Sequence, residues 1–149
     1  MLLSMDINLR IRSSGPDDVK TILLKRAVAA ADIVLGSGKA EFEEVTGISD
    51  LAASAEYLMR QGKTVIARDG KEPVIFADEG EIRRIPVTDV VPINTIGAGD
   101  SFDAGFLRAL CEGLGAEEAV RCGNICAGYT ISHREFRAVP GFDEIISQL

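Results

Sequence analysis

Asn94-Thr95-Ile96-Gly97-Ala98-Gly99-Asp100-Ser101-Phe102 decides the reading of this chain, because a glycine-flanked turn runs directly into a helical pattern and delivers a carboxylate at its first turn. The two glycines allow backbone N–H groups to turn inward with no Cβ in the way, and the helix that follows adds the positive end of its dipole. An anion, above all a phosphoryl group, suits the hole formed by Gly97, Ala98 and Gly99. Asp100 repels such an anion, so its natural part is to accept a proton from a hydroxyl that attacks the phosphorus. Gly-x-Gly before a helix is by itself a common tight entry, so the surrounding chain has to support the phosphoryl-transfer reading.

Outward from that stretch, helical periodicity alternates with short Val/Ile/Leu runs, which points to an α/β protein with one globular domain over residues 1–149. No apolar run reaches membrane-spanning length, and the first ten residues lack the basic head and cleavage site of a signal peptide, so a cytoplasmic protein without membrane contact is expected. A net charge of −7 argues against binding to nucleic acid, whose phosphates attract basic surfaces. Cys111, Cys122 and Cys126 form no CxxC pair; Cys122 and Cys126 sit one helical turn apart, and with a single histidine in the chain their spacing reads as core rather than metal ligation.

Residues 2–7 form a short apolar run ending in the polar Asp6-Ile7-Asn8-Leu9-Arg10, as at the carboxyl end of a buried parallel strand. Ser13-Ser14-Gly15-Pro16-Asp17-Asp18 then opens a helix running to about residue 31, with Pro16 suited to its first position. A strand over 32–35 leads to Gly36-Ser37-Gly38-Lys39, which has the wrong spacing for a phosphate-binding P-loop, and to a short helix over 41–45. Further elements are expected as a helix over 51–61, a strand over 64–67 and a hairpin of 73–77 with 81–87 at the sheet's edge. Helices over 99–113 and 116–132 follow, with a short one near the end.

Taken together, the Gly-Ala-Gly-Asp turn, its continuation into Ala104-Gly105-Phe106 and the Asp6-x-Asn8-x-Arg10 motif resemble the ribokinase-like carbohydrate kinases of the phosphofructokinase-B type, and among them 2-keto-3-deoxygluconate kinases. The resemblance spans the chain but matches only the carboxy-terminal half of the family's usual length. It implies a partial ribokinase-like fold: a mostly parallel sheet flanked by helices, with the amino-terminal strands and the β-lid absent. It further implies ATP-dependent phosphorylation of a sugar or sugar-acid hydroxyl, with Asp100 as catalytic base and Gly97, Ala98 and Gly99 as anion hole. Asn8, Arg10, Arg68, Gly70 and Asn124 become ATP-binding candidates, and Arg10 also a partner for a substrate carboxylate. Glu41 falls at the acidic position of a motif that organises Mg2+ through water, with Gly38 where that motif has Asn.

Several positions depart from the family pattern. Asn94 replaces an Asp, and His133-Arg134-Glu135-Phe136 replaces a Gly-Ala turn, so an altered or lost monovalent-cation site is expected. Pro73 replaces a glycine in a loop that passes over the phosphates, which stiffens it and removes one N–H donor. These departures keep open a second reading, a non-catalytic nucleotide-binding or interaction module derived from such a kinase. A dinucleotide-binding fold is excluded, because no Gly-x-Gly-x-x-Gly opens the helix after the first strand. A half-sheet would expose an apolar edge, so self-association or a covering partner is expected.

Overall fold

The computed structural model describes residues 2–9, 18–135 and 138–149, which fall into two compact units, Met1–Arg84 and Ile85–Leu149. The first unit carries a five-stranded mixed sheet in the order β1-β2-β3-β4-β5. Its strands are β1 (Ser4–Asp6), β2 (Ile33–Ser37), β3 (Thr64–Asp69), β4 (Glu72–Asp78) and β5 (Glu81–Ile85). Helix α1 (Val19–Ala30) crosses from β1 to β2, and α2 (Lys39–Thr46) with α3 (Leu51–Met59) crosses from β2 to β3. These crossovers make β1–β2 and β2–β3 parallel, whereas β3 and β4 pair antiparallel.

Local chemistry sets the boundaries. Asp18 caps α1 by accepting from the Lys20 N–H at 2.9 Å, and Asp50 caps α3 by accepting from the Ala53 N–H at 2.8 Å. The far end of α1 is satisfied by Lys63, which is buried and donates to the carbonyls of Ala29 at 2.9 Å and Ala31 at 2.7 Å. A cation there also complements the negative end of the helix dipole. In β2 the residues Ile33, Val34, Leu35 and Gly36 are all buried, as expected for an inner parallel strand covered on both faces. Val34, Phe42, Ala55, Leu58, Val65 and Ala77 lie at the heart of one apolar cluster between the sheet and α1, α2 and α3.

The hairpin expected at the edge is present. Glu79 and Gly80 join β4 to β5 with φ of 47° and 85°, the pair of positive values that a two-residue hairpin turn needs. Pro73 is a correction: it lies inside β4 rather than in a phosphate loop. The β3–β4 register slips between Ala67 and Asp69, leaving Pro73 beside a bulge where the ladder asks no N–H of it. The start expected for α1 at Pro16 falls on residues 10–17, outside the described residues.

The second unit pairs α4 (Ala98–Cys111) with α5 (Ala116–Ser132) and ends in α6 (Phe142–Ile146). Glycines set the distance between the two long helices. A Cβ on Gly105 would lie 2.6 Å from the Cys126 Sγ, and one on Gly123 would lie 2.9 Å from the Phe102 ring. Cys122 and Cys126 are buried in this interface, in keeping with a packing role. Burial and the Glu118 charge push the Cys122 thiol up, while burial and then Cys122 push Cys126 up to about 11. Among the described residues no group of three or more His, Cys, Asp or Glu is placed to hold a metal ion, and no helix is long and apolar enough to cross a membrane.

Candidate functional site

In the second unit the decisive stretch is a loop anchored at both ends. The Ile93 and Asn94 N–H groups donate to the Ile131 carbonyl near the end of α5, at 2.7 and 3.2 Å. The Asn94 side chain accepts from the Ile96 N–H at 3.0 Å, a local turn in which an asparagine serves as well as an aspartate. Gly97 then takes φ of 81°, a left-handed conformation that a side chain would strain, and caps α4. The Ser101 N–H bonds to its carbonyl at 2.9 Å, so the helix starts there. Asp100 stands exposed in the first turn.

Not all of the anion hole is open. The Ala98 N–H already reaches the Thr95 carbonyl, at a long 3.3 Å, and an entering anion would compete with that bond. Behind the helix start, Thr130 is buried, bonded to the Ser101 hydroxyl at 2.9 Å and to the Ala138 carbonyl at 3.0 Å. This tie fixes the residue next to Asp100, and nothing in the spacing of Ser101 and Thr130 announces it. Asn124 is buried, not on an exposed helix face; its Nδ2 donates to the Pro86 carbonyl at 3.0 Å. His133 stacks on Tyr129 with ring centroids 3.9 Å apart, whereas Phe136 lies outside the described residues.

The first unit gathers Asn8, Glu41, Arg68 and Gly70. Asp6, Ser37 and Arg68 all stand at the carboxyl ends of the neighbouring parallel strands, where open α/β sheets bind ligands. Arg68 lies on β3 opposite the bulge that Pro73 and Val74 make in β4, and it is buried rather than solvated. Its Nε donates to the Gly36 carbonyl at 3.3 Å, and one Nη reaches both Asp6 oxygens at 3.3 Å. Gly70 is the left-handed corner, with φ of 59°, of a tight β3–β4 turn. Arg10 lies outside the described residues.

Gly38 and Glu41 have physical reasons for their positions. Gly38 adopts φ of 76° and ψ of 163°, a region essentially reserved for glycine, so the asparagine of the related motif does not suit this backbone. Glu41, in the first turn of α2, accepts from the Leu9 N–H at 2.9 Å with one oxygen and from the Ser37 N–H at 2.6 Å with the other. Each oxygen keeps a second lone pair, so a water held by a metal still fits. Asp100, Gly97, Ala98, Gly99 and Asn124 therefore belong to one unit, and Asn8, Glu41, Arg68 and Gly70 to the other.

Such strand ends, and such a helix start on a left-handed glycine, are each places where α/β proteins bind anionic ligands. The model of the pfkB family carbohydrate kinases matches residues 5–140, and the chain belongs to that family. It is 32% identical over 126 residues to the 2-dehydro-3-deoxygluconokinase of Bacillus subtilis, an alignment covering 82% of this chain and 38% of that protein. Adenosine kinase 1 of Arabidopsis thaliana is 39% identical over a shorter stretch of 64 residues, 41% of this chain and 19% of that protein. Among solved structures, the aminoimidazole riboside kinase of Salmonella enterica, in complex with its riboside and an ATP analogue, superposes with a TM-score of 0.81 at 25% identity. That match covers 98% of this chain and 51% of that one. A fructokinase of Vibrio cholerae shares the fold, with a TM-score of 0.82, covering 97% of this chain and 49% of that one. The chain thus spans about half or less of the length of the relatives it matches.

Proposed function

We propose that residues 1–149 act as one nucleotide-binding and catalytic-base domain of an ATP-dependent kinase for a sugar or sugar-acid hydroxyl. The observation that carries this reading is Asp100, exposed in the first turn of α4 directly after the left-handed Gly97. Asp100 accepts the hydroxyl proton as that oxygen bonds to the γ-phosphorus; the bond to the bridging oxygen breaks, and ADP leaves with the electron pair. Gly97, Ala98 and Gly99 stabilise the phosphoryl charge with backbone N–H groups. Asn8, Arg10, Arg68 and Gly70 line the phosphate path, with Arg68 shared with Asp6. Asn124, its amide nitrogen on Pro86, shapes the adenine end. Magnesium would supply charge neutralisation on the phosphates, and Glu41 is the residue that would help hold it through water.

Arg10 and the kinship with 2-dehydro-3-deoxygluconokinase favour 2-keto-3-deoxygluconate or a fructose-like sugar over nucleosides. A cytoplasmic location follows only from this kinase reading, through its need for ATP. Exposed Leu2, Leu3, Val19 and Leu23 in the unit with the open β1 edge support self-association. The test is ADP release from Mg-ATP with a panel of sugars and sugar acids. Asp100→Asn should lower turnover about 10²–10⁴-fold while calorimetric ATP affinity stays within a few-fold. Undiminished turnover in the variant refutes the base. ATP binding without turnover on any sugar favours the second reading, a binding module, to which the occupied Ala98 N–H also lends support.

A further inference from the structure

We propose that Glu41 is a positioning residue: its carboxylate clamps Asn8 in a left-handed conformation at the carboxyl end of β1, presenting the asparagine amide to a phosphate-bearing ligand. The ligand half of this statement rests on the kinase reading above, and the clamp does not. Asn8 has φ of 43°, one of two non-glycine residues with positive φ among those described, and it is exposed. Asparagine tolerates that region better than most residues, yet holding it there costs on the order of 1 kcal/mol. Something must hold it, and the chain is pinned on either side. The Ile7 N–H makes the last rung of the sheet to the Leu35 carbonyl at 2.8 Å, and the Leu9 N–H reaches the Glu41 Oε1 at 2.9 Å.

The second Glu41 oxygen takes the Ser37 N–H at 2.6 Å, so one carboxylate ties the exits of two adjacent parallel strands. A hydrogen bond to a charged group contributes roughly 1.5–3 kcal/mol, enough to outweigh the strain at Asn8. An independent feature makes room for the carboxylate. A Cβ on Gly36 would stand 3.1 Å from the Glu41 Oε2, 3.1 Å from the Ile7 Cδ1 and 2.9 Å from the Phe42 ring, so glycine at 36 is what lets Glu41 reach both amides. Glu79, the other such residue of positive φ, takes it from the two-residue β4–β5 turn. Asn8 instead stands at the exit of a parallel strand, where a strained, exposed polar side chain pinned on either side is arranged to meet a ligand.

The experiment is NMR on the full labelled chain without nucleotide or magnesium. In the wild type, Asn8 should show the strong intraresidue amide-to-α-proton NOE of a positive φ; its absence overturns the proposal with no variant made. In Glu41→Ala, exchange of the Leu9 and Ser37 amides should quicken roughly ten- to hundred-fold, and the Asn8 NOE should fall to that of extended residues while β3 amides are unchanged. Glu41→Gln, closer in shape, should release at least one of the two amides. Unchanged Leu9 exchange and an unchanged Asn8 signal in a folded variant overturn the clamp and leave Glu41 a metal-organising residue alone. Calorimetry with Mg-ATP separates the two halves: loss of the NOE in the variant with no ATP binding by the wild type upholds the clamp and sinks the kinase reading.

Discussion

Replacing Gly105 by alanine tests whether the separation of α4 and α5 places the site. The new Cβ would stand 2.6 Å from the Cys126 Sγ, 2.9 Å from the Cys122 carbonyl oxygen and 3.0 Å from the Cys126 Cβ. The sulfur can rotate away, but a backbone carbonyl and a Cβ cannot, so the helices must part by several tenths of an ångström. Overpacking of this kind costs about 1–3 kcal/mol, and alanine returns about 1 kcal/mol of helix propensity, leaving a net loss of about 0–2 kcal/mol. Urea unfolding of Gly105→Ala, of Cys126→Ala and of the double variant measures it. The double variant removes the sulfur contact and leaves the Cys122 carbonyl, so part of the loss should be recovered as a coupling of about 1 kcal/mol. Since α4 carries Asp100 in its first turn, ADP release should fall as well. If Gly105→Ala were more stable than the wild type by the full propensity gain of about 1 kcal/mol, only propensity would be at work, and the close helix contact would be refuted.

Asp6→Asn removes a charged partner of Arg68, held at 3.3 Å with the side chains 20% and 10% exposed, and should destabilise the chain by about 1–3 kcal/mol in urea unfolding; no change would make the pair a bystander. Between pH 9 and about 11 the folded chain keeps the Cys126 proton that the unfolded chain, near the ordinary 9.0, releases. Stability should therefore be complete below pH 9 and fall as pH rises through that window, by roughly 3 kcal/mol at most, and Cys126→Ala should flatten the slope. Sedimentation across a range of concentrations should show association through apolar surface, and a monodisperse monomer at high concentration would refute it.

The periodicity legible in the chain located every helix and strand to within a few residues, because buried parallel strands and capped helices leave strong local signals. Gly97, Asp100 and the Glu79-Gly80 hairpin are legible for the same reason: each solves a backbone problem in place. Arg68 and Pro73 are not, since their roles come from a bulge, and a bulge is a mismatch between two strands rather than a property of either. The burial of Asn124 and Lys63 is not legible from polarity, because each is buried with a carbonyl partner far away in sequence.

Parallel strands end with backbone N–H groups that no neighbour takes up, and this chain deals with them by placing charge there. Glu41 accepts from the exits of β1 and β2, while Arg68 joins the Gly36 carbonyl to the Asp6 carboxylate across β3, β2 and β1. A neutral side chain can hold a loop as well, as the Thr46 hydroxyl does in accepting from the Ile48 N–H at 3.1 Å. Charged groups of both signs, set side by side at a ligand-facing edge, instead leave a surface that can rearrange its hydrogen bonds when a highly charged anion arrives. In the kinase reading, a carboxylate that already holds amides and a guanidinium already partly desolvated lessen the cost of that rearrangement when phosphate arrives. Arg68→Lys is the sharpest probe of it, because lysine keeps the charge but cannot span Gly36 and Asp6 at once; ATP affinity should fall at least tenfold, and an unchanged affinity would reduce Arg68 to a strand cross-link.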